Sequence, residues 1–132
     1  MTAAFLPVAS NQPWWVLGFA LLIGHAVADY PLQGEFLALG KNHRQHPEWR
    51  FMKSETMKGL WIHCLTAHSL IHAGAVWAIS GVFVLGVVEF VLHWIIDFIK
   101  SAGVTNLHTD QFLHVLCKVI YVVLFQFGVF GN

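Results

Sequence analysis

Four long apolar runs, each interrupted by polar residues four positions apart, organise this chain of 132 residues. They extend over residues 14–30, 60–80, 82–99 and 110–130. Each is close to the ~20 residues that carry a helix across a bilayer, the first being the shortest. Pro13 is well placed to open the first run, since a proline is tolerated in the first helical turn, and Pro31 closes it. Ser80-Gly81 alone separates the second and third runs, which predicts a tight helical hairpin. Residues 101–109 form a short polar connection in which Thr109 is the expected N-cap of the last helix. The predicted architecture is all-α: a single domain, a four-helix transmembrane bundle.

The one long polar stretch, residues 31–59, mixes five basic and three acidic residues with Phe36, Leu37, Trp49 and Phe51. That mixture fits one or two short interfacial helices between the first and second spans, and fits a solvated loop equally well.

Composition supports the membrane reading. Hydrophobic residues make up 57% and charged residues 11%, against about 25% charged in ordinary soluble domains. A small soluble domain has too much surface for so few charges. The formal net charge is zero, so no nucleic-acid partner is expected. Cys64 and Cys117 lie in apolar runs without CxxC spacing and read as buried thiols. No Lys or Arg precedes the first run, so it reads as a retained anchor and not a cleaved signal. Lys and Arg fall only in the 31–59 connection and at Lys100 and Lys118. The positive-inside rule therefore makes 31–59 and the 101–109 link cytoplasmic and puts both termini outside.

On helices, His25/Asp29, His93/Asp97 and Asp110/His114 each present an imidazole and a carboxylate on one face. The second run adds His68 and His72, and Glu89 lies one turn before His93. The topology drawn from basic residues brings these groups to one layer near the cytoplasmic surface. Such groups are costly in lipid unless they pair, bind an ion or line a wet cavity. Imidazole and carboxylate suit a divalent metal such as zinc, iron or manganese. The expected ligands or their supports are His25, Asp29, His68, His93, Asp97, Asp110 and His114. His63 lies nearer the interface and His72 deeper, so both are less favoured, while His43, His46 and His108 are expected to face solvent. A metal with an open position lowers the pKa of its bound water and makes hydrolysis possible. Asp97 or Asp29 would then serve as general base, with Lys100 steadying an anion.

Two alternatives stand beside this. Asp–His hydrogen bonds, with Asp97 paired to Lys100, satisfy the same groups without metal and make the layer structural. A proton or ion path would need polar residues beyond His72 and Glu89, where the sequence offers few. Phosphate-binding glycine loops, nucleophile elbows and HExxH are absent. Hiding so many polar groups in four helices makes a homo-oligomer a further expectation.

HAVADYPLQ (25–33), AHSLIHAG (67–74), HWIIDFIK (93–100) and DQFLH (110–114) resemble, in order, the motifs of the domain-of-unknown-function 3307 family. Its pattern is HxxxDFxLQ, a second-helix His, HxxxDxxK and DQxxH; Tyr30 stands where Phe is common. The resemblance implies a small multi-pass membrane protein of bacteria or their phages, in the inner membrane, and adds Gln33, Lys100 and Gln111 to the polar set. The chain is more loosely similar to small membrane proteins described as metal-dependent hydrolases. The expected function is thus a metal-binding inner-membrane protein and possible hydrolase; the alternative is a non-enzymatic membrane assembly or a phage factor acting on the host membrane.

Overall fold

A computed structural model describes residues 12–44 and 58–130. Among the described residues there are five α-helices and no strand. They are α1 (Trp14–Asp29), α2 (Gly34–Gly40), α3 (Leu60–Ser80), α4 (Phe83–Ser101) and α5 (Leu107–Gln126). The four long helices form a ring: α3 packs on α1 and α4, and α5 closes against α4 and α1.

Local chemistry sets the ends. Pro31 has no N–H to continue the α1 hydrogen-bond ladder, although Tyr30 before it still keeps αR dihedrals. The chain therefore bends by 85° into α2, whose first residue, Gly34, takes φ 59°. This is a short helix where one or two interfacial helices are expected; residues 45–57, where a second would fall, lie outside the described residues. Gly40 lets the end of α2 press on α3, since a Cβ there would stand 2.6 Å from Cys64 Sγ. Gly81 makes the hairpin: at φ 72° it caps α3, and its N–H donates to the Trp77 carbonyl at 2.8 Å. The α3–α4 contact is close at Gly86, where a Cβ would lie 3.0 Å from Trp77 Cβ and 3.1 Å from the Ala73 carbonyl. The cap of α5 differs from expectation. The Asn106 side chain, not that of Thr109, holds the helix start by accepting from the Thr109 N–H at 2.9 Å. The helix therefore begins at Leu107, inside the 101–109 connection.

Two helices, α3 and α5, are long and apolar enough to cross a membrane, and a third crossing is available if the bent α1–α2 pair counts as one. Four spans do not follow from length and composition alone. α1 has 16 residues, about 24 Å at 1.5 Å per residue, short of a ~30 Å hydrocarbon core. α4 has 19 residues but carries Glu89, Asp97 and Lys100.

The bundle interior is graded along its axis. At the end bearing the α3–α4 turn, Leu17, Leu21, Val76, Leu85, Tyr121 and Val122 make an apolar core. One turn further along each long helix the buried side chains become polar: His25, His72, Glu89 and Lys118, then His68, His93 and His114, then Asp97 and Asp110. The outside is the reverse, with Phe19, Trp77, Phe83, Phe112 and Ile120 exposed. Polar inside and apolar outside is what lipid selects.

Candidate metal centre

The four-residue spacing places one face of each long helix against the bundle axis, so each turn delivers one side chain to the centre. Five imidazoles meet there. His72, His93 and His114 lie in a stack, with ring centroids 3.7 Å apart for the first pair and 4.1 Å for the second. His68 stands edge-on, 4.7 Å from His72 and 5.0 Å from His93, and His25 sits 5.1 Å from His72.

Two carboxylates face these rings. Asp29 Oδ1 lies 3.1 Å from His72 Nε2 and 3.3 Å from His68 Nε2. Asp97 Oδ1 lies 3.2 Å from His114 Nε2, and its Oδ2 is 3.8 Å from His93 Nε2. His68 Nε2 stands between the two acids, 3.5 Å from Asp97 Oδ2. Asp29, His68, His72 and His93 form one group whose ligand atoms lie within 4.8 Å of one another; His93, Asp97 and His114 form a second. All these residues are fully buried except Asp29, whose side chain is 11% exposed.

A metal is tested by the state of the donor atoms. His68 Nε2 and His93 Nε2 are buried and have no hydrogen-bond partner, although carboxylate oxygens surround them. Buried polar atoms are rarely left so. His72 and His114 hydrogen-bond Asp29 and Asp97 at 3.1 and 3.2 Å, while the contacts of His68 and His93 Nε2, at 3.3–3.8 Å, exceed charge-assisted hydrogen bonds, which run about 2.7–2.9 Å. They match two ligands sharing a tetrahedral ion, which sit about 3.4 Å apart when each is about 2.1 Å from it. By contrast, Lys41 Nζ stands 2.6 Å from Asp97 Oδ2, a short charge-assisted pair. The donor set fits a divalent ion.

Around the rings lies a supporting layer. Glu89 Oε1 is 3.3 Å from His93 Nδ1, so the Nδ1–H donates to it and the Nε2 lone pair is turned to the centre. Glu89 also accepts from Lys118 Nζ, and from the Tyr121 hydroxyl at 2.8 Å. The Gln111 amide donates to Asp29 Oδ2 at 2.9 Å and turns its oxygen to His25 Nε2 at 3.2 Å. With His25 Nε2 as the donor to Gln111, its other ring nitrogen, Nδ1, is buried without a hydrogen-bond partner. Asp110 Oδ1 is buried without a hydrogen-bond partner, 3.6 Å from His114 Nε2.

A pocket of about 380 Å³ opens on this layer beside the α1–α2 elbow, lined by Asp29, Gln33, Lys41, Asp97, Lys100 and Asp110 among others. Lys41 reaches it because α2 folds back over α3; its Nζ also donates to Gln33 Oε1 at 2.5 Å.

Of the seven expected site residues, all reach the centre or its first supports. Asp97 pairs with Lys41 and not with Lys100, which pairs with Asp110 instead. His72 is not too deep: it is among the closest partners of Asp29. His63 and His108 are exposed, His43 is partly buried, stacked on Phe98 at 4.5 Å, and His46 lies outside the described residues. The residues that sequence reasoning missed are Lys41 and Tyr121; Lys118, one turn beyond His114 on the same face, was placed but not paired with Glu89. Glu89 and Lys118 carried a usable signal, since opposite charges in two apolar runs must find each other. Lys41 carried none. One chain by itself buries these groups.

The fold and site define an all-helical protein with membrane-compatible helices and a buried His/Asp centre. The chain belongs to the family described as "Protein of unknown function (DUF3307)", whose model matches residues 17–130. Neither a curated protein nor a solved structure matches it.

Proposed function

We propose that this is a divalent-metal-binding membrane protein whose ion, zinc, iron or manganese, serves hydrolysis of an ester or phosphoester. The observation that carries the reading is the pair of orphaned, buried nitrogens, His68 Nε2 and His93 Nε2, among carboxylate oxygens at ligand–ligand spacing. All four long helices span the membrane in this reading. The charges of α4 do not oppose it, because Glu89 and Asp97 point into the bundle and are paired there. The α2 end faces the cytoplasm by the positive-inside rule, with both termini outside a bacterial inner membrane.

An ion held here supplies Lewis acidity and lowers the pKa of a bound water towards neutrality. The protein's part is then clear. The ion's ligands would be drawn from Asp29, His68, His72, His93, Asp97 and His114. Asp110 Oδ1, unpartnered beside His114, would take the water's proton, a role that suits it better than Asp97, both of whose oxygens are engaged. In such a hydrolysis the water oxygen would bond to the acyl carbon or phosphorus as the bond to the leaving alcohol breaks, and Asp110 would return the proton to that alcohol. Lys100, 31% exposed at the pocket wall, steadies the anion. Four buried carboxylates against three lysines leave one negative charge, so a divalent ion turns the site positive and favours an anionic substrate.

A second reading has its own support. Lys41, Lys100 and Lys118 already partner three carboxylates, which is what a metal-free structural layer needs. Elemental analysis of detergent-purified protein separates the two. Near-stoichiometric metal in wild type, none in a His93→Ala/Asp97→Asn variant, and hydrolysis of chromogenic esters or phosphoesters lost on chelation support the enzyme. No metal in folded wild type overturns it.

A further inference from the structure

The centre has more donors than one ion uses. A tetrahedral zinc takes four ligands, and an ion kept ready for water takes three from the protein. Six first-rank donors are present, in two overlapping groups that share His93. Asp29 Oδ1 gathers His68 and His72, at 3.3 and 3.1 Å. Asp97 gathers His114 and His93, at 3.2 and 3.8 Å. Each half is one carboxylate with two imidazoles, a set that binds a transition metal and leaves positions open. The halves are joined, since His68 Nε2 is 3.5 Å from Asp97 Oδ2 and the rings of His72 and His93 are stacked. Each half also owns one of the unpartnered buried nitrogens, His68 Nε2 or His93 Nε2.

We propose that the centre is binuclear, one divalent cation on Asp29, His68 and His72 and a second on His93, Asp97 and His114. This rests on the metal-binding reading above and goes beyond it in number and division of ligands. Two ions in such a shared site stand about 3.5–4 Å apart, and His68 Nε2, 3.3 Å from Asp29 Oδ1 and 3.5 Å from Asp97 Oδ2, lies between the two halves. Lys41 is the built-in competitor. Its ammonium already holds Asp97 Oδ2, so the second ion must bind through Oδ1 and the two imidazoles, more weakly than the first.

Manganese(II) and zinc, each added alone to chelator-stripped full-length protein, test this. Equilibrium titration should give two ions per chain in two unequal steps. At two equivalents of manganese the electron paramagnetic resonance spectrum should be that of a spin-coupled pair. The His68→Ala/His72→Ala and Asp97→Asn/His114→Ala variants should each retain one ion and lose the coupled spectrum. One ion per chain in wild type, with an uncoupled spectrum at saturation, overturns the binuclear centre and leaves the metal-binding reading intact; no ion overturns both. The wild-type spectrum decides the matter even where a variant does not fold.

Discussion

Glu89→Leu strikes a fully buried carboxylate of the bundle and has two separable consequences. Glu89 and Lys118 are each 1% exposed, and the carboxylate accepts from Lys118, Tyr121 and the Nδ1–H of His93. Leucine fills similar space but leaves an ammonium buried with no counter-charge, and removing one partner of a buried pair costs about 3–5 kcal/mol. Replacing the pair together is different, because a well-packed apolar substitute for a buried ion pair is often neutral. Glu89→Leu/Lys118→Met/Tyr121→Phe should therefore recover stability to within about 1–3 kcal/mol of wild type, the remainder being the unsatisfied His93 Nδ1. Ion binding should not recover. His93 still lacks the carboxylate that fixes its tautomer, and losing such a support lowers metal affinity about 10–100-fold. Unfolding by SDS in mixed micelles, followed by tryptophan fluorescence, reads the first effect; competition for zinc with a chromophoric chelator reads the second. A single-variant loss under about 1 kcal/mol would refute the burial argument. Wild-type zinc affinity in the triple variant would refute the orienting role of Glu89.

Other outcomes follow from local structure. Asn106→Ala removes the side-chain cap of α5 and should cost about 0.5–2 kcal/mol in the same unfolding assay, with metal content unchanged because Asn106 is exposed. Gly86→Val forces a branched side chain against Trp77 and the Ala73 carbonyl, an overpacking worth about 1–3 kcal/mol; full stability would contradict the α3–α4 contact. In a background free of Cys64 and Cys117, a membrane-impermeant maleimide applied to intact cells should label Val82→Cys and spare Asn106→Cys. The opposite labelling would invert the proposed orientation.

How much of this was legible in the sequence depends on whether a feature is local. The i, i+4 pairs His25/Asp29, His93/Asp97 and Asp110/His114 announced which helix faces meet, because four residues make about one turn. The Ser80-Gly81 turn was equally plain, since glycine is the residue that accepts φ 72°. Lys41 was not legible. Its place on Asp97, 56 residues away, depends on the 85° elbow after Pro31 and on how closely Gly40 lies against Cys64. The depth of His72 was misjudged for a related reason: residue counting fixes a position along one helix but not the vertical offset between α1 and α3. The start of α5 was missed because Asn106 and Thr109 are both good caps, and the hydrogen bond between them runs from the Thr109 backbone to the Asn106 side chain. The four-span count was read from apolar length, a signal that α4 weakens by carrying the charged residues that the site needs.

The central claim, that the His/Asp layer is an ion site and not a metal-free network, is met most directly by X-ray absorption at the zinc edge on zinc-loaded protein. The account predicts nitrogen and oxygen neighbours at about 2.0–2.1 Å, with the outer-shell scattering of at least two imidazole rings per zinc. A spectrum of oxygen neighbours alone, without imidazole scattering, would contradict it.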